Sequence, residues 1–451
     1  MSFVLTKEFL EEVEHAIDTK NARYVLDNLA TLRPADISSI LDEMDTEQSM
    51  YVMDLLDEET GAEIISYLDE DTCIPFLKNY SSQSIAQWVN HIDSDDAADI
   101  LNELPLQTRE EIIAYLGSKE KADDIVDLLH YEEDCAGGLM AKELIQANIN
   151  WTVAQAIGEI RRQAEEVEKI FSLYVVDDGG ILLGRVSLKK IILSNDETRI
   201  ADIYEKDIVS VKTYQDEEEV AEIMRKYDLA AVPVINERGK LMGRITIDDA
   251  VDVITEQAEE ERQIITGIAE DIEEDDNVLR LTRARLPWLI IGMAGGLLGA
   301  RFIGFFEKDL ALIPAMAFFI PLITATGGNV GIQSSSIVLQ SLANKSMIGV
   351  NYFQRLFKVL VVAIINGVVI SGIVFGFTII LGQTINLATI VAFSLFFVVL
   401  LASFMGTITP LILDKLGINP ALAAGPFITT ANDLLGLAVY FSTAHVLYNF
   451  Q

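Results

Sequence analysis

Cysteine is nearly absent from this chain: its 451 residues hold two, Cys73 and Cys135, far apart in sequence. That excludes a disulfide framework and a cysteine-based metal site, and it fits free thiols in a reducing compartment. Histidine is as scarce. His15, His91, His130 and His445 are scattered without metal-ligand spacing and no nucleophile motif accompanies them, so an enzyme is not expected. An apolar leader is missing too, because MSFVLTKEFLEEVEH places acids where a signal peptide needs its core. Residues 1–280 are therefore expected on the cytoplasmic side.

Positive charge is what that first part lacks most. Residues 281–451 hold eight Lys/Arg and four acids, leaving 25 of the chain's 33 bases and 65 of its 69 acids in residues 1–280. The net is −40 for the first part against +4 for the second, with the break near Asn277–Arg285. Phosphate binding needs clustered Lys/Arg, so no nucleic acid partner is expected and cations are favoured. An acidic face is also the simplest way to keep a domain soluble, and at this point both readings stand.

The second part lacks charge of either sign over long runs. None occurs in the 55 residues from Val359 to Leu413. One helix of that length would span about 82 Å against roughly 30 Å of hydrocarbon, so the run folds back in the bilayer. The polar break 382-GQTIN-386 marks the turn, and the same reasoning gives five spans at about 286–306, 312–342, 354–381, 387–413 and 420–449. An odd number puts the termini on opposite sides. With the N-terminus cytoplasmic and the C-terminus outside, the inner flanks carry Arg280, Arg283, Arg285, Lys345, Arg355, Lys358 and Lys415, and the outer loops only Lys308. That is the positive-inside pattern of a multi-pass cell-membrane protein. Arg301, near the outer end of the first span, is expected to snorkel.

Two spans are unlike lipid-facing helices. The second contains 321-PLITATGGNVGIQSSS-336 and the fifth 420-PALAAGPFITTANDLLG-436, dense in Gly, Pro, Thr, Ser, Asn and Gln. Small polar residues serve helix packing, and breaks at Gly and Pro serve a water-filled path. Asp433 sharpens the question, since a lone carboxylate within a span is costly unless paired, neutralised or wetted. Beside Thr429, Thr430 and Asn432 it fits a pore-lining ring offering oxygen to a hard, hydrated cation such as Mg²⁺, and it also fits a proton-relay acid.

Residues 136–255 repeat internally. Val175-Val176, Gly180, Leu182 and 184-GRVSL-188 align without gaps, 59 residues on, with Val234-Ile235, Gly239, Leu241 and 243-GRITI-247. Each copy reads as helix, strand, Gly turn, strand ending in Gly-Arg, helix, and the first carries an extra acidic stretch, 165-EEVEK-169. The pattern resembles a tandem pair of CBS domains, which implies a regulatory module that binds adenine nucleotides in some members; a module used only for dimerisation has the same pattern.

Before the repeat, 34-PADISSILDEM-44, 57-DEETGAEIISYL-68, 93-DSDDAADILNEL-104 and 106-LQTREEIIAYL-116 read as short amphipathic helices of an α-superhelix. After it, 248-DDAVDVITEQAEEERQIITGIAEDIEEDD-276 reads as an acidic connecting helix with Val251, Ile254, Ala258, Ile265 and Ile268 on one stripe. Like charges at that density repel, and bridging divalent cations would relieve the repulsion.

In this order the elements resemble the MgtE family of magnesium channels or transporters over essentially the whole chain, with PLITATGGNVGIQ and NPALAAGPFITTANDLLG the diagnostic stretches. The expected architecture is multidomain: an all-α acidic helical-repeat N-domain (1–134), an α/β CBS pair (135–200 and 201–255), an acidic connecting or plug helix (256–280) and a five-helix transmembrane pore domain (281–451). The resemblance implies a homodimer with Mg²⁺ at Asp433, near Thr429, Thr430 and a turn formed by Gly327, Gly328 and Asn329. It further implies closure by cytoplasmic Mg²⁺ bridging Asp95 and Asp99, Asp216, Glu218 and Asp228, and Asp249, Asp252, Glu256, Glu259, Glu260 and Glu261, with ATP as a further ligand of the CBS pair. An ion-coupled Mg²⁺/Co²⁺ transporter and a non-conducting membrane Mg²⁺ sensor remain the rival classes.

Overall fold

The computed structural model describes residues 3–68, 70–163, 170, 172–268, 272, 277–343, 352–423 and 425–449. It divides into two compact units, Met1–Thr255 and Glu256–Gln451. The stretch 165–169, most of 269–276 and Lys345 lie outside the described residues.

The first unit opens with ten helices among the described residues: α1 (Lys7–Asp18), α2 (Ala22–Leu29), α3 (Pro34–Asp42), α4 (Thr46–Met53), α5 (Glu58–Ile65), α6 (Glu70–Leu77), α7 (Ser82–Val89), α8 (Ser94–Asn102), α9 (Leu106–Tyr115) and α10 (Lys119–Leu128). Their starts are set locally: Asn21, Asp57, Ser81 and Ser118 accept from backbone amides of the first turn, and Asp45 with Gln48 forms a reciprocal capping box. Each helix is two to three turns long and marginal alone, so its apolar stripe must find a neighbour. The neighbour lies two elements along: α3, α5, α7 and α9 stack in succession, as do α4 on α6 and α8 on α10. Phe76, Tyr80 and Trp88 anchor the shared core, with the Tyr80 and Trp88 ring centroids 4.8 Å apart.

The repeat then folds twice into the same small sheet. In the first copy β1 (Gln146–Asn148) runs parallel to β2 (Ser172–Val176), which is antiparallel to β3 (Leu182–Ser187); α11 (Val153–Gln163) lies between β1 and β2, and α12 (Leu188–Leu193) follows. After the single-turn α13 (Ile200–Ile203), the second copy repeats this with β4 (Val211–Lys212), α14 (Glu217–Tyr227), β5 (Ala231–Ile235) and β6 (Leu241–Thr246). The copies meet through their equivalent turns. Gly180 and Gly239 both have φ of +78°, and the amides of Leu182 and Leu241 donate to the carbonyls of Gly239 and Gly180 at 2.9 and 3.0 Å. Two bonds exchanged between corresponding residues are the signature of a local two-fold relation.

The acidic helix starts within one residue of the 248 read from its sequence, but ahead of the domain boundary at 256 and ending short of 276. α15 runs Ile247–Thr266, starting directly from β6, nine residues earlier than a separate element at 256 would. Its stripe differs too: Ala250 and Val253 are the buried positions, Val251 is half exposed, and Ile268 lies beyond the helix after Gly267, whose φ is +85°. The β6 strand fixes the register, and this overrides the apolar spacing read further along.

The second unit holds α16 (Val278–Gly304), α17 (Glu307–Leu312), α18 (Ile320–Ala343), α19 (Tyr352–Ile380), α20 (Ile385–Lys415) and α21 (Pro426–Asn449), with 3-10 turns at Pro314–Phe319 and Pro420–Ala423. Four stretches among the described residues are long and apolar enough to cross a membrane: Val278–Gly304, Pro314–Leu342, Leu356–Ile380 and Ile385–Lys415. α21 is 24 residues long, but its first turns are polar, and it is not one of the four. It packs instead against α16, α18 and α20. Arg301 stacks over the Phe305 ring at 6.0 Å.

Gly239→Ala places a methyl no nearer than 3.6 Å to any neighbour, so its expected destabilisation is the left-handed conformation alone, about 1–2 kcal/mol. Gly184→Ala drives the same methyl into the Glu205 carbonyl and is expected to destabilise more, read as a larger fall in the unfolding midpoint.

Candidate cation sites

Within the second unit the polar residues gather on the first two turns of α21. Glycine brings two helices onto them. A Cβ at Gly295 of α16 would overlap the Thr430 side chain, and one at Gly328 of α18 would lie 3.1 Å from Thr429 Cγ2 and 3.7 Å from Asp433 Oδ1. A Cβ at Gly331 of α18 would overlap the Asn432 amide. Asp433 is half-buried and Asn432 buried. Thr429 donates its hydroxyl to the Gly425 carbonyl at 3.4 Å, part of the start of its own helix.

The resemblance implied a turn at Gly327, Gly328 and Asn329; α18 instead runs unbroken through all three. In hydrocarbon an unbroken helix keeps every backbone group paired, and here the glycines serve close approach. Gly327 and Gly328 are buried, while Asn329 is exposed. The break expected in the fifth span is present: Gly425 precedes Pro426, the first residue of α21.

Those two residues also meet the end of α15. A Cβ at Gly425 would lie 3.0 Å from the Ile265 carbonyl oxygen and 3.4 Å from that of Ile264, and one at Gly267 would lie 2.9 Å from Pro426 Cγ. The carbonyl end of one helix therefore faces the amide end of the other, a favourable dipole arrangement.

The first unit holds a separate acidic cluster where α8 begins. Carboxylate oxygens of Asp93, Asp95 and Glu143 all lie within 4.8 Å of one another. Glu143 accepts from the Ser94 amide at 3.1 Å and the Ser94 hydroxyl at 2.7 Å, which holds it over the positive end of the helix. Asp95 is 9% exposed, and burial, then the charges of Asp96, Asp249, Glu143 and Asp93, raise its carboxyl well above the usual range. Asp96 is pushed up to about 7, by burial first and then by Asp249 and Asp93. Asp249 accepts from Thr246 N at 2.8 Å and Oγ1 at 3.0 Å, and burial raises it as well.

Two lysines lie nearby, and the Lys121 ammonium acts electrostatically on Glu143, Asp93 and Asp95. Lys142 pairs with Asp127 at 2.5 Å, and Lys121 donates to the carbonyls of Asn90, at 3.1 Å, and Ile92. Three crowded carboxylates are an all-oxygen donor set, and ligands on opposite sides of a hard cation stand roughly 4–5 Å apart, so the cluster fits Mg²⁺ or Ca²⁺.

Of the sequence-derived acids, Asp95 and Asp249 thus come together, joined by Asp93, Asp96 and Glu143, which the sequence reading missed. The run 93-DSDD-96 at a helix start was the available signal for two of them; Glu143 carried none. Asp216 caps α14, accepting from the amides of Glu218 and Glu219, and Asp228 ends it with a left-handed φ of 50°. Asp99, Glu218, Asp252, Glu256, Glu259 and Glu260 are exposed, and Glu261 is half-buried.

Comparison with known proteins agrees along the chain. The family model described as "Divalent cation transporter" (MgtE) matches residues 320–443, that of the MgtE intracellular N domain 32–134, and that of the CBS domain 136–194 and 200–256. The magnesium transporter MgtE of Bacillus subtilis is 33% identical over 357 residues, 79% of each chain. Its counterpart in Thermus thermophilus is 31% identical over 450 residues, 97% of each. A crystal structure of the cytosolic domain of the Mg²⁺ channel MgtE in complex with ATP is 32% identical with a TM-score of 0.51, covering 54% of this chain and 99% of its own.

With divalent cations chelated, the crowding of α8 sets a pH dependence. Asp96 binds its proton more tightly folded, at about 7, than unfolded, at 3.8, so the folded state gains protons in that window and stability falls as pH rises through it. The unfolding midpoint is expected to rise as pH drops from about 8 to about 6, and Asp96→Asn or saturating Mg²⁺ should flatten that slope.

Proposed function

Because the chain belongs to the MgtE family of magnesium transporters, multi-pass membrane proteins and not enzymes, we propose that it is a homodimeric Mg²⁺ channel closed by cytoplasmic Mg²⁺. The observation that carries this reading is the contact of the α15 end with Gly425 and Pro426, eight and seven residues before Asp433. The helix that bears the cytoplasmic acids ends on the helix that bears the intramembrane one.

In this reading Asp433 attracts a hydrated Mg²⁺, which keeps most of its water and is held by one carboxylate per subunit. Five spans, with α21 as the fifth, leave the N-terminus cytoplasmic and the C-terminus outside. At low internal Mg²⁺ the net −40 of each cytoplasmic part drives its acidic surfaces apart and α15 releases α21. As Mg²⁺ rises it occupies Asp93, Asp95 and Glu143 and bridges the exposed acids of α14 and α15, selecting the closed arrangement. Moving a two-state population from 1:99 to 99:1 needs about 5.5 kcal/mol of differential binding, within reach of several weak sites together. A cytosolic domain of an MgtE channel has been solved with ATP, and in this reading ATP acts at the sheet pair here.

The test is Mg²⁺ uptake by liposomes holding the purified protein. Asp433→Ala is expected to lower passive uptake about tenfold or more, and wild type should shut off at high Mg²⁺ on the cytoplasmic side. No uptake under any condition sinks the channel in favour of a sensor, and uptake that stops when a proton or sodium gradient is collapsed favours the coupled transporter.

Gly425→Leu wedges a side chain between the α15 carbonyls and α21. Uptake should persist at low Mg²⁺ and lose most of its inhibition at high Mg²⁺; retained inhibition would remove this contact from the gate.

A further inference from the structure

Asn432 is 2% exposed, and neither its Oδ1 nor its Nδ2 has a hydrogen-bond partner among the described residues. Buried hydroxyls on neighbouring helices behave otherwise. Ser394, Thr407 and Thr378 each donate to the carbonyl four residues back on their own helix, those of Ile390, Ser403 and Val374. An asparagine amide offers two donors and an acceptor, and burying it unpaired disfavours the arrangement that does so.

The packing shows where that amide is aimed. Its Nδ2 lies so close to Gly331 that a Cβ there would overlap it, while the Gly331 carbonyl is approached by Gly406 of α20. One turn back along α18, Gly328 faces the Asp433 carboxylate. Asp433 and Asn432 thus point at the same glycine strip of α18, one with a charge and the other with an unpaired dipole.

We propose that Asn432 is a second residue of the cation path: when α18 and α21 part along Gly328 and Gly331, its amide oxygen accepts a hydrogen bond from the water shell of the divalent cation that Asp433 attracts. The inference rests on the transport reading of Asp433. A cation that keeps its water is recognised through outward-pointing water protons, so the matching groups are acceptors. A carboxylate supplies attraction. A neutral amide adds a directed acceptor without a second charge that would hold the ion in place.

The experiment compares Asn432→Leu and Asn432→Ser with wild type, in the full-length protein, by thermal unfolding in detergent and by Mg²⁺ uptake into liposomes. Leucine fills a similar volume without polar atoms, and serine can return its hydroxyl to its own helix as its neighbours do. Both variants should keep or raise the unfolding midpoint, because the unpaired amide is gone. Both should nevertheless lower uptake about tenfold and raise the half-saturating Mg²⁺, the loss expected for one hydrogen bond to a charged ligand's shell. Unchanged uptake and half-saturation in either folded variant overturns the proposal. So does uptake that falls in step with the midpoint in both, which makes Asn432 a packing residue. Asp433→Ala run in parallel separates the levels: if it leaves uptake intact the transport reading fails, and if it abolishes uptake while Asn432→Leu does not, only the role of Asn432 fails.

Discussion

The second unit depends on how closely other backbones approach the first two turns of α21. In a bilayer, helices gain nothing from hiding apolar surface from one another, so they associate where small side chains permit tight packing. Gly295, Gly328 and Gly331 supply that permission on two helices, and Gly425 supplies it at the helix start. The result is a polar segment, Thr429 to Asp433, covered by glycine backbone in place of lipid. A methyl at Gly295 or Gly331 would push α16 or α18 off α21 and expose that segment to hydrocarbon, where unsatisfied polar groups are expensive.

The first unit applies the opposite device. Ser94, Asp95 and Asp96 open α8, and Glu143 arrives from outside the helical stack to accept from Ser94. A helix N-terminus favours one nearby anion, but its effect fades within a turn and does not neutralise three or four. The raised proton affinities of Asp95, Asp96 and Asp249 measure the shortfall. The cluster is under electrostatic load that the Lys121 ammonium only partly offsets, and protons or a cation would relieve the rest.

Much of this was legible in the chain itself. The 59-residue repeat gave both small sheets, and the equivalence of Gly180 and Gly239 foretold their shared left-handed turn. The charge-free run foretold the α19–α20 reversal at Gly382, whose φ is +76°. What was not legible came from competition between local signals and tertiary order. A Gly-Gly-Asn run is a strong turn signal in water, but the bilayer penalises unpaired backbone enough to keep α18 helical through it. The register of α15 was set by the strand it leaves, which its apolar spacing did not reveal. Glu143 stands alone in sequence, 49 residues from the serine it grips, and no periodicity reports a partner at that distance.

The two acidic places differ in a way that bears on what each can do with an ion. Asp93, Asp95 and Glu143 offer three carboxylates within 4.8 Å, Asp95 buried and the other two half-buried. Charge count of that kind raises affinity and slows release, which suits a site that registers concentration. Asp433 is one half-buried carboxylate that faces Gly328 of α18. In the proposed channel, passage requires binding favourable enough to enter and weak enough to leave, and a single charge meets both conditions where a triad would trap the ion. On that reading the division of labour follows from charge density: crowded acids hold the ion that is registered, and a lone acid passes the ion that is carried.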